Sequence, residues 1–337
     1  MTCHSRSAPA LIFVVFLFGS VPSAVAGAPA TDALPSTPQG WVDRMSHALQ
    51  TLNFEGTFVY LRDGHLETMR IVHVVEADGG ERERVMALTG PAREIIRDDQ
   101  EVTCILPDSK SIVVEKRRPH LPFPAAVPTG ANQRDRYYEF RMLPRYRVTG
   151  RMAQAVAIIP KDRYRYGYRL YMDETTGLPL ESVILDRAGR QVEQIQFTSL
   201  KVLQHADPRA LVPDIDHDKG YTFHRQEGDD TVGIPGTSHW VVSSAPPGFV
   251  QTMYSRRILP GSSNPVEHLV FSDGLASVSV YVEKADGVKV LLHGASRMGA
   301  VNAYGRRVGA YQVTVVGEVP EATVSAIGQA LRYDPNE

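Results

Sequence analysis

Apolar side chains at every second position are the feature that most restricts the fold of this 337-residue chain. The first alternating run, 54–61, ends at Asp63-Gly64, and a second run, 68–75, follows at once. An Asp-Gly pair between two such runs is typical of a tight β-hairpin. Shorter runs of the same kind continue at 84–88, 93–97, 101–106 and 111–115. Because connections this short join antiparallel neighbours, the pattern predicts an antiparallel meander.

After a proline-rich interruption at 117–130, the same pattern completes a first predicted domain, 38–204. Its further strand-like runs are 152–159, 166–172, 179–186 and 192–203. Ahead of the first strand, helical spacing predicts a helix whose apolar face carries Trp41, Met45, Ala48, Leu49 and Leu52. We expect one large curved sheet with one or two helices against its concave side.

A second domain, 221–334, is predicted after an acidic linker at 205–220, since a chain of this length usually divides in two. Its strand-like runs are 240–242, 249–257, 266–271, 276–283, 288–292 and 311–317. The spacing of Ala322, Val324, Ile327 and Leu331 predicts a C-terminal helix. The predicted class is α+β with two mainly antiparallel domains, the second a smaller sheet.

The N-terminus is typical of a cleavable export signal. A basic start leads into a short apolar run at 8–19 and a small-residue ending, which predicts a signal peptide over 1–26 with cleavage after Ala26. The alternative, a membrane anchor, is disfavoured because the run is too short to cross the hydrocarbon layer. Residues 27–37 are small, polar and proline-rich, so we expect a disordered leader there.

Positive charge is concentrated in one part of the first domain. Residues 110–169 carry 14 Lys and Arg against 4 Asp and Glu. Outside the cytoplasm, such a segment favours anionic partners: lipid head groups, lipopolysaccharide phosphates or an acidic peptide, but not nucleic acid. A basic sheet face that pairs with the acidic residues of 36–109 is an equally good interpretation.

Motifs for catalysis, metals and cofactors are not found in the sequence. There is no Gly-x-Ser-x-Gly, no His-Glu-x-x-His and no phosphate-binding glycine loop. The run 214–220 resembles the start of a calcium loop, but Lys219 and Arg225 stand where glycine and glutamate are needed. We therefore expect a binding protein with no cofactor and no metal, not an enzyme.

Tyrosines alternate with arginines at 164–169, which in a strand would place the two residue types on opposite faces. One interpretation is an apolar cavity with a cationic rim, suited to an acylated ligand with an anionic head group. The other is ordinary packing in which arginine stems cover tyrosine rings. The candidate cavity and lid residues are Phe58, Tyr60, Ile71, Leu121, Phe123, Tyr166 and Tyr168. The candidate rim residues are Arg117, Arg118, Arg163 and Arg165.

Four long stretches resemble the RseB/MucB family of periplasmic regulators of envelope-stress sigma factors. They are 53–60 (NFEGTFVY), 65–73 (HLETMRIVH), 267–283 and 305–320. The resemblance implies that the first domain is a half-barrel similar to periplasmic lipoprotein carriers. It also implies that the second domain, with the interdomain region, binds the periplasmic part of a membrane anti-sigma factor and that binding shields this factor from regulated proteolysis.

The resemblance also implies that lipidic signals, such as lipopolysaccharide or lipoprotein acyl chains, release that partner. Candidate partner-binding residues in the second domain are Tyr281, Tyr304, Arg306, Arg307 and Tyr311. A lipid or lipoprotein carrier is the alternative function, motivated by the first domain alone. A hydrolase with an unfamiliar site is a third hypothesis without a motif behind it, and the sequence leaves open a homo-oligomer.

Overall fold

The computed structural model describes residues 34–76, 79–116, 134–205, 207–213, 220–225, 231–233, 238–258, 264–285 and 292–334. Several sequence predictions fall outside these ranges. They are the signal peptide, most of the leader, most of the linker, most of the strand at 288–292, and the lid and rim residues Arg117, Arg118, Leu121 and Phe123.

Helix α1 runs from Pro38 to Thr51, and its start is fixed by local chemistry. The Thr37 side chain accepts a hydrogen bond from the Gly40 N–H at 3.1 Å, and proline occupies the first turn, where its missing N–H costs nothing. The buried face of the helix consists of Trp41, Val42, Met45, Ala48 and Leu49. Four of the five residues predicted for this face lie on it, whereas Leu52 follows the end of the helix and Val42 was not among them.

Thirteen strands of the described chain form one large curved sheet. They are β1 (Asn53–Arg62), β2 (His65–Val75), β3 (Glu81–Ala87), β4 (Glu94–Arg97), β5 (Glu101–Leu106), β6 (Ser111–Lys116), β7 (Tyr138–Met142), β8 (Tyr146–Val148), β9 (Arg151–Pro160), β10 (Gly167–Asp173), β11 (Pro179–Leu185), β12 (Gln191–Leu203) and β13 (Thr222–Arg225). The order is β13-β6-β5-β4-β3-β2-β1-β12-β11-β10-β9-β7, with β8 paired to β9. A short helix, α2 (Arg134–Tyr137), precedes β7.

One side of this sheet and the apolar face of α1 form a common core. Side chains along β1 alternate between half-buried and buried from Asn53 to Tyr60, which is the expected signature of a sheet with one covered face. Phe54, Phe58 and Phe197 meet there in ring contacts. The predicted meander and its covering helix are confirmed.

The second sheet has seven strands within the described residues, in the order β14-β16-β17-β18-β21-β20-β19. They are β14 (Thr231–Gly233), β16 (Val250–Ile258), β17 (Pro265–Ser272), β18 (Ser277–Lys284), β19 (Gly294–Met298), β20 (Val301–Val308) and β21 (Tyr311–Gly317). Helix α3 (Glu321–Ala330) covers one face, and β15 (Trp240–Val242) pairs with β22 (Leu331–Tyr333) beside it. The predicted smaller sheet with a C-terminal helix is confirmed.

Two features of the strands differ from the sequence prediction. Strand β13 lies in the segment assigned to the second domain, yet it pairs in parallel with β6 of the first sheet. The hairpin β19–β20 was not predicted, because Gly294–Met298 has no apolar alternation. Within the described part of the chain, no helix is both long and apolar enough to span a membrane.

Candidate functional site

A pocket of about 570 Å³ lies between the two domains. Its lining residues are Arg163, Tyr166, Asp186, Arg187, Ala188 and Arg190 from the first domain, and Arg297, Asn302, Pro320 and Glu321 from the second. They lie before β10, in the β11–β12 turn, on β19 and β20, and at the start of α3. Because both domains supply walls, the pocket exists in this form only while the domains stay docked.

Tyr166 and Asn302 are the buried polar residues of the pocket, one from each domain. The Asn302 side-chain amide donates to the Tyr166 hydroxyl at 2.9 Å and to the Val319 carbonyl at 2.7 Å. Burial raises the pKa of the Tyr166 hydroxyl, so this group is neutral at physiological pH. Its oxygen accepts from Asn302, so the hydroxyl proton is not used in that hydrogen bond.

Four arginine side chains border the pocket, and three have no carboxylate partner among the described residues. Arg190 pairs with Asp186 at 2.7 Å. Arg163 stacks over the Tyr164 ring at 5.1 Å, and Arg297 donates to the Gly299 carbonyl at 2.9 Å. Arg187 is exposed in the β11–β12 turn. Among the described residues that line the pocket, four arginines therefore stand against two carboxylates, Asp186 and Glu321.

Arg165, predicted to lie on an exposed cationic rim, is instead fully buried between the domains, with 0% of its surface exposed. Its guanidinium pairs with Asp273 of the second domain and Asp162 of the first, and donates to the Pro247 carbonyl. It also lies 4.9 Å from the centre of the Phe249 ring. The rim assignment of Arg165 is wrong, because alternation along one strand does not reveal that a second domain covers it.

Asp273 is the second-domain half of this contact, and its two oxygens have separate partners. Oδ1 accepts the N–H groups of Leu275 and Ala276 at 2.9 and 2.8 Å. Oδ2 accepts from Arg165 and from the Tyr138 hydroxyl, the latter at 2.9 Å. A buried carboxylate with all these donors is well solvated by the protein, so this ion pair can persist without water.

The turn of the β19–β20 hairpin docks on the first domain through its backbone. The N–H groups of Gly299 and Ala300 donate to the carboxylates of Asp63 and Glu193, each at 2.6 Å. Glu193 also accepts from the Tyr60 hydroxyl at 2.8 Å, and burial raises the pKa of Glu193. In the described residues, no three His, Cys, Asp or Glu side chains cluster as around a metal ion. Asp63 and Glu193 hold the turn of the β19–β20 hairpin against the first domain through these hydrogen bonds.

The cavity candidates that the structure describes lie close together, and they form part of a packed core. Phe58, Tyr60, Ile71, Tyr166 and Tyr168 are all buried in the cluster that α1 covers. Phe58 lies 5.6 Å from the Phe197 ring. Tyr166 lines the interdomain pocket, as does the rim candidate Arg163. A role of this core in binding acyl chains stays a prediction.

The partner-binding candidates divide between the two faces of the second sheet. Tyr304, Arg306 and Tyr311 lie on the helix-covered face, where Arg306 donates to the Leu331 carbonyl and Tyr311 meets Trp240. Tyr281 and Arg307 lie on the other face according to the strand register. These residues therefore lie on two different surfaces, and their role in partner binding stays a prediction.

Sequence reasoning missed the other pocket-lining residues, Asp186, Arg187, Ala188, Arg190, Arg297, Asn302, Pro320 and Glu321. Arg187 lies between the predicted strands 179–186 and 192–203, and an arginine in such a connection is ordinary on a protein surface. Arg297 lies on a strand that alternation did not indicate. Only a long-range pairing of the two domains brings these groups together, and no local pattern encodes it.

Comparison with known proteins finds a match for each of the two domains. The MucB/RseB N-terminal domain matches residues 37–215, and the MucB/RseB C-terminal domain matches residues 235–332. The sigma factor AlgU regulatory protein MucB of Pseudomonas aeruginosa is 33% identical over 315 residues, covering 90% of this chain and 93% of that protein. The sigma-E factor regulatory protein RseB of Escherichia coli K12 is 26% identical over 299 residues, covering 87% and 89%.

A solved structure is similar over both domains as well. The crystal structure of MucB in complex with MucA(peri) superimposes with a TM-score of 0.65 at 31% identity, covering 88% of this chain and 99% of that one. Both domains are thus matched in order, in sequence and in fold. The chain belongs to the MucB/RseB family.

Proposed function

We propose that this chain is a periplasmic negative regulator of a sigma-factor stress response. It binds the periplasmic part of a membrane anti-sigma factor, shields that factor from regulated proteolysis, and is released by lipidic envelope-stress signals. The observation that carries the proposal is the two-domain match to sigma-factor regulatory proteins, one of which has been crystallised with MucA(peri). The predicted export signal supports the location, and the role is binding, not catalysis.

The test of partner binding uses the mature chain, residues 27–337, and the purified periplasmic part of the cognate anti-sigma factor. We expect a stable complex and slower cleavage of the partner by an added protease. Absence of binding by the folded mature chain would overturn the proposal. Arg307→Gln probes the face shared with Tyr281, and Arg256→Gln is its control, since Arg256 is also an exposed second-domain arginine. We expect the Arg307 variant to weaken the complex more than its control does.

Lipid-driven release is tested through α1, because acyl chains that enter the first-domain core must meet that helix. Trp41 on α1 and Trp240 are the two tryptophans of the chain, and both are 2% exposed. In a Trp240→Phe variant, emission therefore reports on Trp41 alone. We expect lauroyl lysophosphatidic acid to change this emission and to release the partner segment. Release without any change at Trp41 would contradict acyl binding beneath α1.

A further inference from the structure

We propose that the interdomain pocket is a binding site for a phosphoryl group, held by arginines of both domains. The site is distinct from the apolar core beneath α1. Arg163 and Arg187 approach from the first domain, and Arg297 approaches from the second.

The charged residues that line the pocket are unequal in number. Four arginines face two carboxylates, and Asp186 is already engaged by Arg190. Glu321 is the other acidic residue, so three guanidinium groups share one remaining carboxylate in the lining. Like charges held near one another repel, and an anion placed between them would relieve this repulsion. The pocket is therefore set up for a ligand with more than one negative charge.

The donors in the pocket favour a phosphoryl group over a carboxylate. A guanidinium presents paired N–H donors that match two oxygens of a phosphate, and a phosphate has enough oxygens for several arginines at once. The Tyr166 hydroxyl adds a neutral donor, because its oxygen already accepts from Asn302. The arginines also come from three separate segments that converge on one cavity, whereas an extended acidic peptide would need a row of them.

The volume and position of the pocket define what else the ligand can be. About 570 Å³ is room for a phosphate together with a sugar or a glycerol unit, not for a bare ion alone. Two sources share this chemistry: a phosphorylated lipid head group and a soluble phosphate ester. Because the site needs both domains, its occupant stabilises the docked arrangement. Any effect on partner release rests on the proposed function, whereas the site itself does not.

The test is calorimetric titration of the mature chain with three probes. Dihexanoyl phosphatidic acid carries a lipid phosphomonoester, inorganic phosphate is the soluble source, and dihexanoyl phosphatidylcholine has the same chains without net charge. The pocket variant is Arg187→Gln/Arg297→Gln. The matched control is Arg147→Gln/Arg256→Gln, which removes from each domain one exposed arginine that has no ion pair with a described residue and does not line the pocket.

We expect phosphatidic acid to bind, and the pocket variant to lose about tenfold or more in affinity, since each arginine makes charge-assisted hydrogen bonds. The control should lose less than about twofold, because exposed charges are screened by salt. If inorganic phosphate also binds in an arginine-dependent way, the result supports a soluble phosphate ester as the ligand. If only phosphatidic acid binds, the result supports a phosphorylated lipid head group.

Several results would overturn the inference. These are no binding of either phosphate probe, equal losses in the two variants, or phosphatidylcholine binding as tightly as phosphatidic acid. Tighter, arginine-dependent binding of a tetraglutamate peptide would assign the pocket to an acidic segment instead. The same samples are tested with the anti-sigma segment. A chain that binds the segment but no phosphate overturns only this inference, and the reverse result overturns only the proposed function.

Discussion

Replacing Asp273 by asparagine should uncouple the two domains, because it removes one charge from a fully buried ion pair. The side chains of Asp273 and Arg165 are both 0% exposed. Asparagine keeps an oxygen for the N–H groups of Leu275 and Ala276, so the local turn survives. Its NH₂ group then faces two donors, the Arg165 guanidinium and the Tyr138 hydroxyl.

The cost follows from leaving a buried guanidinium with only the partly exposed Asp162 as its counter-charge. Removing one partner of a buried pair costs about 3–5 kcal/mol, which at a urea slope of about 3 kcal/mol per molar is a midpoint shift of roughly 1–2 M. This is an upper limit, since separation of the domains lets water reach Arg165. Domain separation therefore becomes the easier route, and unfolding of the two domains should no longer coincide.

Single-tryptophan variants measure this directly. Trp41 reports on the first domain and Trp240 on the second, so Trp240→Phe and Trp41→Phe backgrounds separate the two unfolding curves. The control is Glu55→Gln, which breaks the exposed Glu55–Arg70 pair at 3.0 Å and should cost at most about 1 kcal/mol. Coincident curves with a midpoint shift no larger than that of the control would refute the reasoning.

Two further predictions concern the hairpin turn that docks on the first domain. Gly299 and Gly309 have φ values of +60° and +59°, so alanine at either should cost about 1–2 kcal/mol of backbone strain. A Cβ at Gly299 would overlap Glu193 and Arg62, whereas a Cβ at Gly309 would meet no atom within 4 Å. Gly299→Ala should therefore lower the urea midpoint further than Gly309→Ala does. Equal midpoints would count against docking through this turn. Burial raises the pKa of Glu193 from 4.5, so the folded chain holds this proton more tightly than the unfolded chain, and the contribution of Glu193 to stability falls as pH rises above about 4.5. Glu193→Gln, which can still accept from the Ala300 N–H, should reduce the difference in urea midpoint between pH 5 and pH 8, and an unchanged difference would contradict this assignment.

The sequence predicted those parts of the fold whose signals are local. Alternation along 54–61 gave β1 and its buried face, and the spacing of Trp41, Met45 and Leu49 gave α1, because one covered surface imposes the period in each case. The resemblance of four long stretches gave the family. None of these signals depends on how the two domains meet.

The interdomain site depends on the contact between the two domains, and the sequence did not predict this contact. Arg165 was assigned to an exposed rim because its neighbours are tyrosines on a strand-like run, yet a second domain covers it. Strand β19 was missed because an edge strand with an exposed, small and polar sequence carries no periodic apolar signal. Arg297 and Gly299 therefore escaped notice, although both lie at the interface.

If the phosphoryl site needs both domains, disturbing the interface at a distance from the pocket should weaken phosphate binding. Neither Asp273 nor Gly299 lines the pocket, so Asp273→Asn and Gly299→Ala both keep every proposed phosphate ligand in the chain. Asp273→Asn is the more remote of the two changes, because Arg297 donates to the Gly299 carbonyl. The apparent affinity of a ligand falls in proportion to the population of the competent arrangement, which is here the docked one. Both variants should therefore raise the dissociation constant for dihexanoyl phosphatidic acid, while Gly309→Ala should not. Unchanged affinity in folded Asp273→Asn and Gly299→Ala proteins would mean that the arginines of one domain suffice, and by reciprocity that phosphate cannot stabilise the docked form.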